Sequence, residues 1–307
     1  MEVTPLAFEV GSRIMTPVIS GAINGAVYGL LGLGLVLLYK GNRIFNFAQG
    51  EFGTVAAFAT FAGVTGYGAM PKVPYVAAAA FGVAMAILVA LLTERLVVRP
   101  LFRQPKVTLV VATAGVALML IAIEGFIFGA EPSSLPPALE GPLFTSGGLR
   151  VTKQGLLIVI VLGVLAGASA LFFSKTRTGT AILAVSMEPT ATSLVGISVN
   201  RISALTWGMA GLLGGVGGIL FAGNVGLLGP GALTGLALIP AFTAAVFGGI
   251  TSLPGAFLGG VVIGIIQALG QRNIPESVVP SANQVVVFFV LLLVLLFRPG
   301  GLLGKET

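Results

Sequence analysis

The sequence contains no cysteine, no histidine and no aspartate, and only 8% of its 307 residues are charged. Each absence removes a class of chemistry. Without cysteine there are no disulfides and no thiolate zinc sites; without histidine there are no imidazole metal ligands and no histidine general base. The acidic inventory is ten glutamates, scattered singly along the chain. Neither a catalytic set nor a metal site is therefore expected. A soluble domain of this length carries about a quarter charged residues. Here 56% of the residues are hydrophobic and the mean hydropathy is +1.06. An aqueous fold of that composition would precipitate, so the chain is read as one that lives inside a lipid bilayer.

Sixteen Lys and Arg against ten Glu give a net charge of +6, a balance that would suggest nucleic acid were the cations on one folded face. They lie instead in short clusters between apolar runs: Lys40 and Arg43; Arg95, Arg99, Arg103 and Lys106; Lys175 and Arg177. That is loop charge on a membrane protein, and no nucleic-acid partner is expected. Glu2 and Glu9 precede the first long apolar run, with no basic n-region and no small-residue cleavage site. The first run is accordingly expected to stay as a span rather than leave as a signal peptide.

A hydrocarbon core about 30 Å thick needs roughly 20 apolar residues per helix, fewer where a helix is broken or buried among others. Spans are expected near 15–38, 44–66, 75–94, 107–128, 154–173, 202–222, 234–250, 255–270 and 284–297. The last three are short, and a re-entrant hairpin over 234–270 would change the count, which is set at eight to ten. The fold class is an all-α, polytopic transmembrane bundle with some spans short or broken. Placing the basic loop Arg95 to Lys106 in the cytoplasm puts Lys40, Arg43, Lys175, Arg177, Arg201, Arg298 and Lys305 there by alternation, with Glu131 and Glu140 outside. Arg150, Lys153 and Arg272 fall outside against the trend, together with the N-terminus. The longest polar connections, 129–153 and 174–200, are far below the roughly 50 residues of an ordinary domain, so residues 1–307 form a single membrane domain. The tail Gly300-Gly301-Leu302-Leu303-Gly304-Lys305 approaches a phosphate-binding loop but is one residue short and has Glu306 where a magnesium-ligating Ser or Thr belongs.

Forty-five glycines would ruin a soluble helical protein, but in lipid small residues let backbones approach and create the van der Waals contact that drives association. Gly21, Gly25 and Gly29 lie four apart in the first span; Gly211 with Gly215, Gly214 with Gly218, and Gly260 with Gly264 repeat the spacing. These rows are expected at packed surfaces, which a transport cycle could also use for sliding. From Gly223 to Gly235, with Asn224, Gly229, Pro230 and Gly231, glycine and proline are too dense for a continuous helix, and a loop or re-entrant bend is expected.

Polar groups at membrane depth are few. Asn46, Gln49 and Glu51 stand together in Asn46-Phe47-Ala48-Gln49-Gly50-Glu51-Phe52, just before an apolar run. A Glu at mid-membrane costs about 2.5 to 3.5 kcal/mol. Two roles are open for Glu51: an ion pair with a basic residue such as Arg43 at the cytoplasmic edge, or lining a permeation route with Asn24, Asn46 and Gln49. Asn24 and Gln267 also suit interhelical hydrogen bonds, and Glu124 reads as an interfacial charge. A proton relay through Glu51 and Glu124 is the remaining reading.

Between Lys175 and Arg201, Pro189 follows Glu188 as a first helical residue and Gly196 stands where a helix of about two turns would stop. A short helix there suits a groove on another subunit, or lies in the interface as an ordinary surface helix. The segment resembles the coupling loop of ABC importer permeases, with Thr190-Ala191-Thr192 in the place of that family's Glu-Ala-Ala and Glu188 two residues earlier. The stretch Gly25-Ala26-Val27-Tyr28-Gly29-Leu30-Leu31-Gly32-Leu33-Gly34-Leu35, the Asn46 to Glu51 group, and Ala245-Val246-Phe247-Gly248-Gly249-Ile250-Thr251-Ser252-Leu253-Pro254-Gly255-Ala256 are similar to the branched-chain amino-acid permease family, LivH-type.

That resemblance implies a cytoplasmic (inner) membrane permease of a prokaryote. Its partners would be a second homologous, LivM-type permease subunit, two ATP-binding subunits and an extracytoplasmic solute-binding protein. It implies that ATP and magnesium belong to the partners and that this chain carries no cofactor. Glu188, Thr190, Ala191, Thr192 and Gly196 become the contact with the ATPase, in a coupling loop over about 174–200. The solutes implied are leucine, isoleucine and valine, or, for other relatives, urea and short amides. Rival classes are an ion-driven secondary carrier, which would need an intramembrane carboxylate or ion site, and a membrane enzyme, for which only isolated glutamates are on offer.

Overall fold

A computed structural model describes residues 4–146, 149–274, 277, 279, 281–298 and 300–304. In chain order the elements are α1 (Thr4–Asn42), α2 (Gln49–Thr65), α3 (Tyr75–Thr93) continued by a π-helical turn (Glu94–Val98), α4 (Lys106–Phe128), and a hairpin of β1 (Pro142–Ser146) with β2 (Leu149–Thr152). Then come α5 (Lys153–Lys175), α6 (Arg177–Met187), α7 (Pro189–Leu194) and α8 (Val199–Val225). A second π-helical turn (Thr234–Leu238) runs into α9 (Ile239–Gly248), followed by α10 (Leu253–Asn273) and α11 (Ala282–Phe297). Six of the described helices are long and apolar enough to cross a membrane; α2, the 234–248 segment and α11 are shorter. Together these nine apolar segments match the expected spans. Glu2, Lys305 and Glu306 lie outside the described residues, as do the side chains of Glu9 and Arg150.

Helices dominate because a chain in hydrocarbon must satisfy every backbone N–H and C=O within its own segments. Their ends use local chemistry. The hydroxyls of Thr152, Thr176 and Ser252 accept the N–H groups of Gly155, Gly179 and Gly255 at the starts of α5, α6 and α10. Gly66 and Gly226 close α2 and α8 in the left-handed conformation.

α1 is the axis of the bundle. Of its most apolar stretch 89% is buried, against 28% for α3 and α5, which therefore form part of the outer rim. The approach of α10 to α1 is set by glycine. A Cβ at Gly21, Gly25 or Gly29 would run into the backbone of Gly264, Gly260 or Phe257, and the same holds in reverse at Gly260 and Gly264. Gly218 lies against the backbone of Gly53 in α2, Gly211 and Gly215 against Ala86 of α3, and Gly214 beside the Gln49 side chain. Each close approach multiplies small dispersion contacts that no hydrophobic effect would supply inside lipid.

Three connections differ from the sequence reading. The span expected from 44 begins as a helix only at Gln49. The connection 129–153 holds the β1–β2 hairpin, with Thr145 paired to Arg150. The connection 174–200 carries α6 ahead of α7, so it contains two helices rather than the one expected. The glycine-rich tail serves packing: Leu302 and Leu303 N–H donate to the carbonyls of Phe247 and Gly248, and Gly301 meets Gly249 with no room for a side chain.

Candidate functional site

The break between α1 and α2 reaches into the bundle. At the end of α1, the Lys106 ammonium donates to the carbonyl of Asn42 (3.3 Å), which puts the starts of α4 and of this connection at one level. Phe47 N–H then donates to Thr113 Oγ1 (3.2 Å). Thr113 is seven residues into α4, or about 10 Å deeper at 1.5 Å per residue. Irregular backbone at that depth survives only if it is covered and its polar groups are satisfied. Ile44, Asn46 and Ala48 are buried. Asn46 Oδ1 accepts the N–H of Ala48 (3.0 Å), its Nδ2 donates to Gln49 Oε1 (3.4 Å), and Gln49 Nε2 donates to the carbonyl of Ala210 in α8 (3.0 Å). Asn46 and Gln49 thus replace the helix ladder where the chain dips and turns.

A second interrupted segment meets the first. After α8 the chain folds back, its Leu228 paired in both directions with Ser133. Gly231 N–H donates to Glu124 Oε2 (3.1 Å) and Leu233 N–H to Thr54 Oγ1 (3.3 Å). Gly50 of α2 lies against Thr234 so closely that no Cβ would fit, so the π-helical turn that opens the 234–248 segment begins beside the first turn of α2. Gly223 to Gly235 is in this way split between the end of α8 and a fold-back loop.

Glu51 sits at this junction, fully buried. It does not pair with Arg43; its polar neighbours are Thr234, Glu124 and Thr54, and among the described residues neither carboxylate oxygen makes a hydrogen bond of good geometry. Glu124 is buried rather than interfacial, at 3% exposure, because the face of α4 that carries it turns toward the fold-back loop. One of its oxygens accepts from Gly231 N–H, and the other has no hydrogen-bond partner among the described residues. Beside the break lies an apolar cavity of about 320 Å³ with Phe45, Phe47, Leu238, Phe242 and Leu291 in its wall and Asn46 as its polar lining residue. Asn24 lies elsewhere, accepting a 3.0 Å bond from Asn224 Nδ2 between α1 and α8. Gln267 of α10 stands beside the Tyr28 hydroxyl.

At the basic end of the bundle, α6 packs against α1, α5 and α8, and the short α7 follows it. Glu188 caps the start of α7, with its carbonyl accepting both the N–H and the Oγ1 of Thr192 (3.1 and 2.7 Å). Gly196 has φ +86°, and its N–H returns to Ser193. Thr192 faces inward, whereas Glu188, Thr190 and Ala191 are exposed. Around them Met187, Leu194 and Val195 are 74%, 83% and 75% exposed, which gives the α6–α7 pair an apolar tip.

Residues 18–296 match the family model described as branched-chain amino acid transport system / permease component. The chain belongs to this family. It is 31% identical over 94% of its length to the high-affinity branched-chain amino acid transport system permease protein BraD of Pseudomonas aeruginosa, of which the match covers 94%. It is 29% identical to the permease protein LivH of Salmonella typhimurium, over 93% of this chain and 94% of that one. Among solved structures, PsaBC from Streptococcus pneumoniae in complex with Fab aligns over 96% of each chain at 14% identity, with a TM-score of 0.48.

Within this permease family member, Asn46, Gln49 and Glu51 converge at the helix break. Asn24 is apart from them. Glu124, which the sequence offered as an interfacial charge or as a relay partner of Glu51, lies beside Glu51. The residues missed by sequence reasoning are Thr54 and Thr234, which close the junction, and Met187, Leu194 and Val195, which form the tip. Exposed apolar side chains next to a short helix in a basic loop were the readable signal for the tip; nothing local to Glu124 announces its distant neighbours.

Proposed function

We propose that this chain is the membrane permease subunit of an ATP-binding-cassette importer for leucine, isoleucine and valine. It would work by alternating access with a LivM-type homologous permease, two ATP-binding subunits and an extracytoplasmic solute-binding protein. The observation that carries the reading is similarity along nearly the whole chain to permease proteins named for branched-chain amino acid transport. The physics of the helix break supports it. A route that opens between interrupted helices needs no unfolding of a complete span, and unwound backbone at depth is where transporters place their paths. An aliphatic solute suits the apolar cavity next to Asn46.

On this reading Asn46, Gln49 and Glu51 border the path, while Asn24 serves the α1–α8 contact at its side. All three border residues are buried in this conformation. The tip formed by α6 and α7 is the contact with the ATPase: Met187, Leu194 and Val195 would enter an apolar groove, Glu188 and Thr190 would meet its rim, and Gly196 would let the chain turn away. ATP and magnesium would be held by the partner, and this chain would carry neither cofactor nor enzymatic activity. The test is uptake by the complex in proteoliposomes. Leucine accumulation that requires internal ATP supports the assignment. Accumulation that persists without ATP on an ion gradient alone overturns it in favour of a secondary carrier.

A further inference from the structure

At the basic end of the bundle, the ends of α1, α5 and α6 and the start of α10 border an open cavity of about 670 Å³. Its lining is divided by chemistry. Lys40 and Arg43 supply two cations three positions apart, and Leu171, Phe173 and Leu253 supply apolar wall. Arg43 lies over the Tyr39 ring, 5.7 Å from its centre. Among the described residues, neither cation has a carboxylate partner; the ion pair found there is that of Arg99 with Glu94. Lys40 is half-buried and Arg43 exposed, so the pair offers an accessible, uncompensated positive charge beside apolar wall, which attracts an anion from outside the chain. The positive-inside bias places this end at the cytoplasmic leaflet, whose surface is anionic.

A free inorganic anion would leave the apolar half of the cavity unused, whereas an amphiphile uses both halves. We propose that the cavity binds an anionic phospholipid from the cytoplasmic leaflet, its phosphate between Lys40 and Arg43 and an acyl chain along Leu171, Phe173 and Leu253. Because Ser186 of α6 also lines the cavity and α7 begins three residues later, the bound lipid braces the helix that presents the apolar tip.

The test uses the chain purified in its membrane complex with its partners. A photoactivatable phosphatidylglycerol should label the peptides that contain 183–187 and 251–254, and unlabelled phosphatidylglycerol should compete while phosphatidylcholine and inorganic phosphate do not. Two basic groups near an anionic lipid together weigh about 30-fold in affinity. Labelling in the double variant Lys40→Gln, Arg43→Gln should therefore need about 30-fold more lipid, while Lys72→Gln, at the opposite end, should change nothing. Equal competition by phosphatidylcholine or by inorganic phosphate overturns the proposal. So does labelling that appears only when the ATP-binding subunits are stripped away, which would mean that protein covers the cavity. If the double variant fails to assemble, the competition series on the unaltered protein decides alone.

Discussion

Gln49 Nε2 donates a 3.0 Å hydrogen bond to the carbonyl of Ala210, tying the first residue of α2 to the middle of α8 in the buried interior of the bundle. The same side chain accepts from Asn46, so one residue supports both sides of the helix break. Gln49→Leu keeps the volume and removes both bonds, leaving Asn46 Nδ2 buried without its acceptor. The expected cost is about 1–3 kcal/mol, read as a lower thermal midpoint of the purified complex, with Gln49→Met giving a similar loss. An unchanged midpoint for both would show that the break is held by packing alone.

The α1–α10 contact makes a sharper stability prediction. Gly260 meets Gly29 and Gly25 through backbone atoms, which cannot move aside as a flexible side-chain tip can. Gly260→Val is expected to cost about 3 kcal/mol or more and to lower the amount of assembled protein in the membrane. Gly163→Ala, on a face of α5 where an added Cβ meets nothing within 4 Å, is expected to be neutral or stabilising by up to about 1 kcal/mol. Comparing the yields and thermal midpoints of the two variants separates glycine as packing from glycine as mere composition.

Glu94 is buried and held by two bonds from Arg99, at 3.2 and 2.8 Å. Arg99→Met strands the carboxylate and is expected to destabilise by about 2 kcal/mol. Adding Glu94→Leu to that variant should recover most of the loss, because removing both partners of a buried pair costs less than removing one. A double-mutant cycle on thermal stability checks the sign of the coupling.

The tip of α6–α7 separates folding from coupling. Leu194 is 83% exposed, so Leu194→Glu should leave the thermal midpoint of this chain unchanged while lowering ATPase stimulation several-fold in the assembled complex. Gly196→Val adds backbone strain of about 1–2 kcal/mol at φ +86° and should uncouple ATPase activity from uptake. Normal stimulation in both variants would remove the tip from the coupling contact.

The spans were readable because lipid imposes a length and a composition on any helix that crosses it, and the starts of α3, α4 and α5 fall within a residue of the expected positions. The start of α2 was not readable. Phe45, Phe47 and Ala48 are as apolar as a helix interior, and only their tertiary surroundings, Thr113 and Ala210, reveal an irregular chain at depth. Glu124 looked interfacial because it lies four residues from the end of α4. Its burial depends on a loop 107 positions away, which no local pattern encodes. α6 did leave a signal, since Thr176 caps it, but proline and glycine drew the reading toward α7. The Asn46 to Glu51 group stood out because polar residues are costly in lipid; which of them face one another emerged only with the fold.

The most direct measurement is ATPase stimulation of the reconstituted complex by its solute-binding protein, loaded first with leucine and then with urea. The account predicts stimulation with leucine and a basal rate with urea. Stimulation by urea with no response to leucine would contradict it.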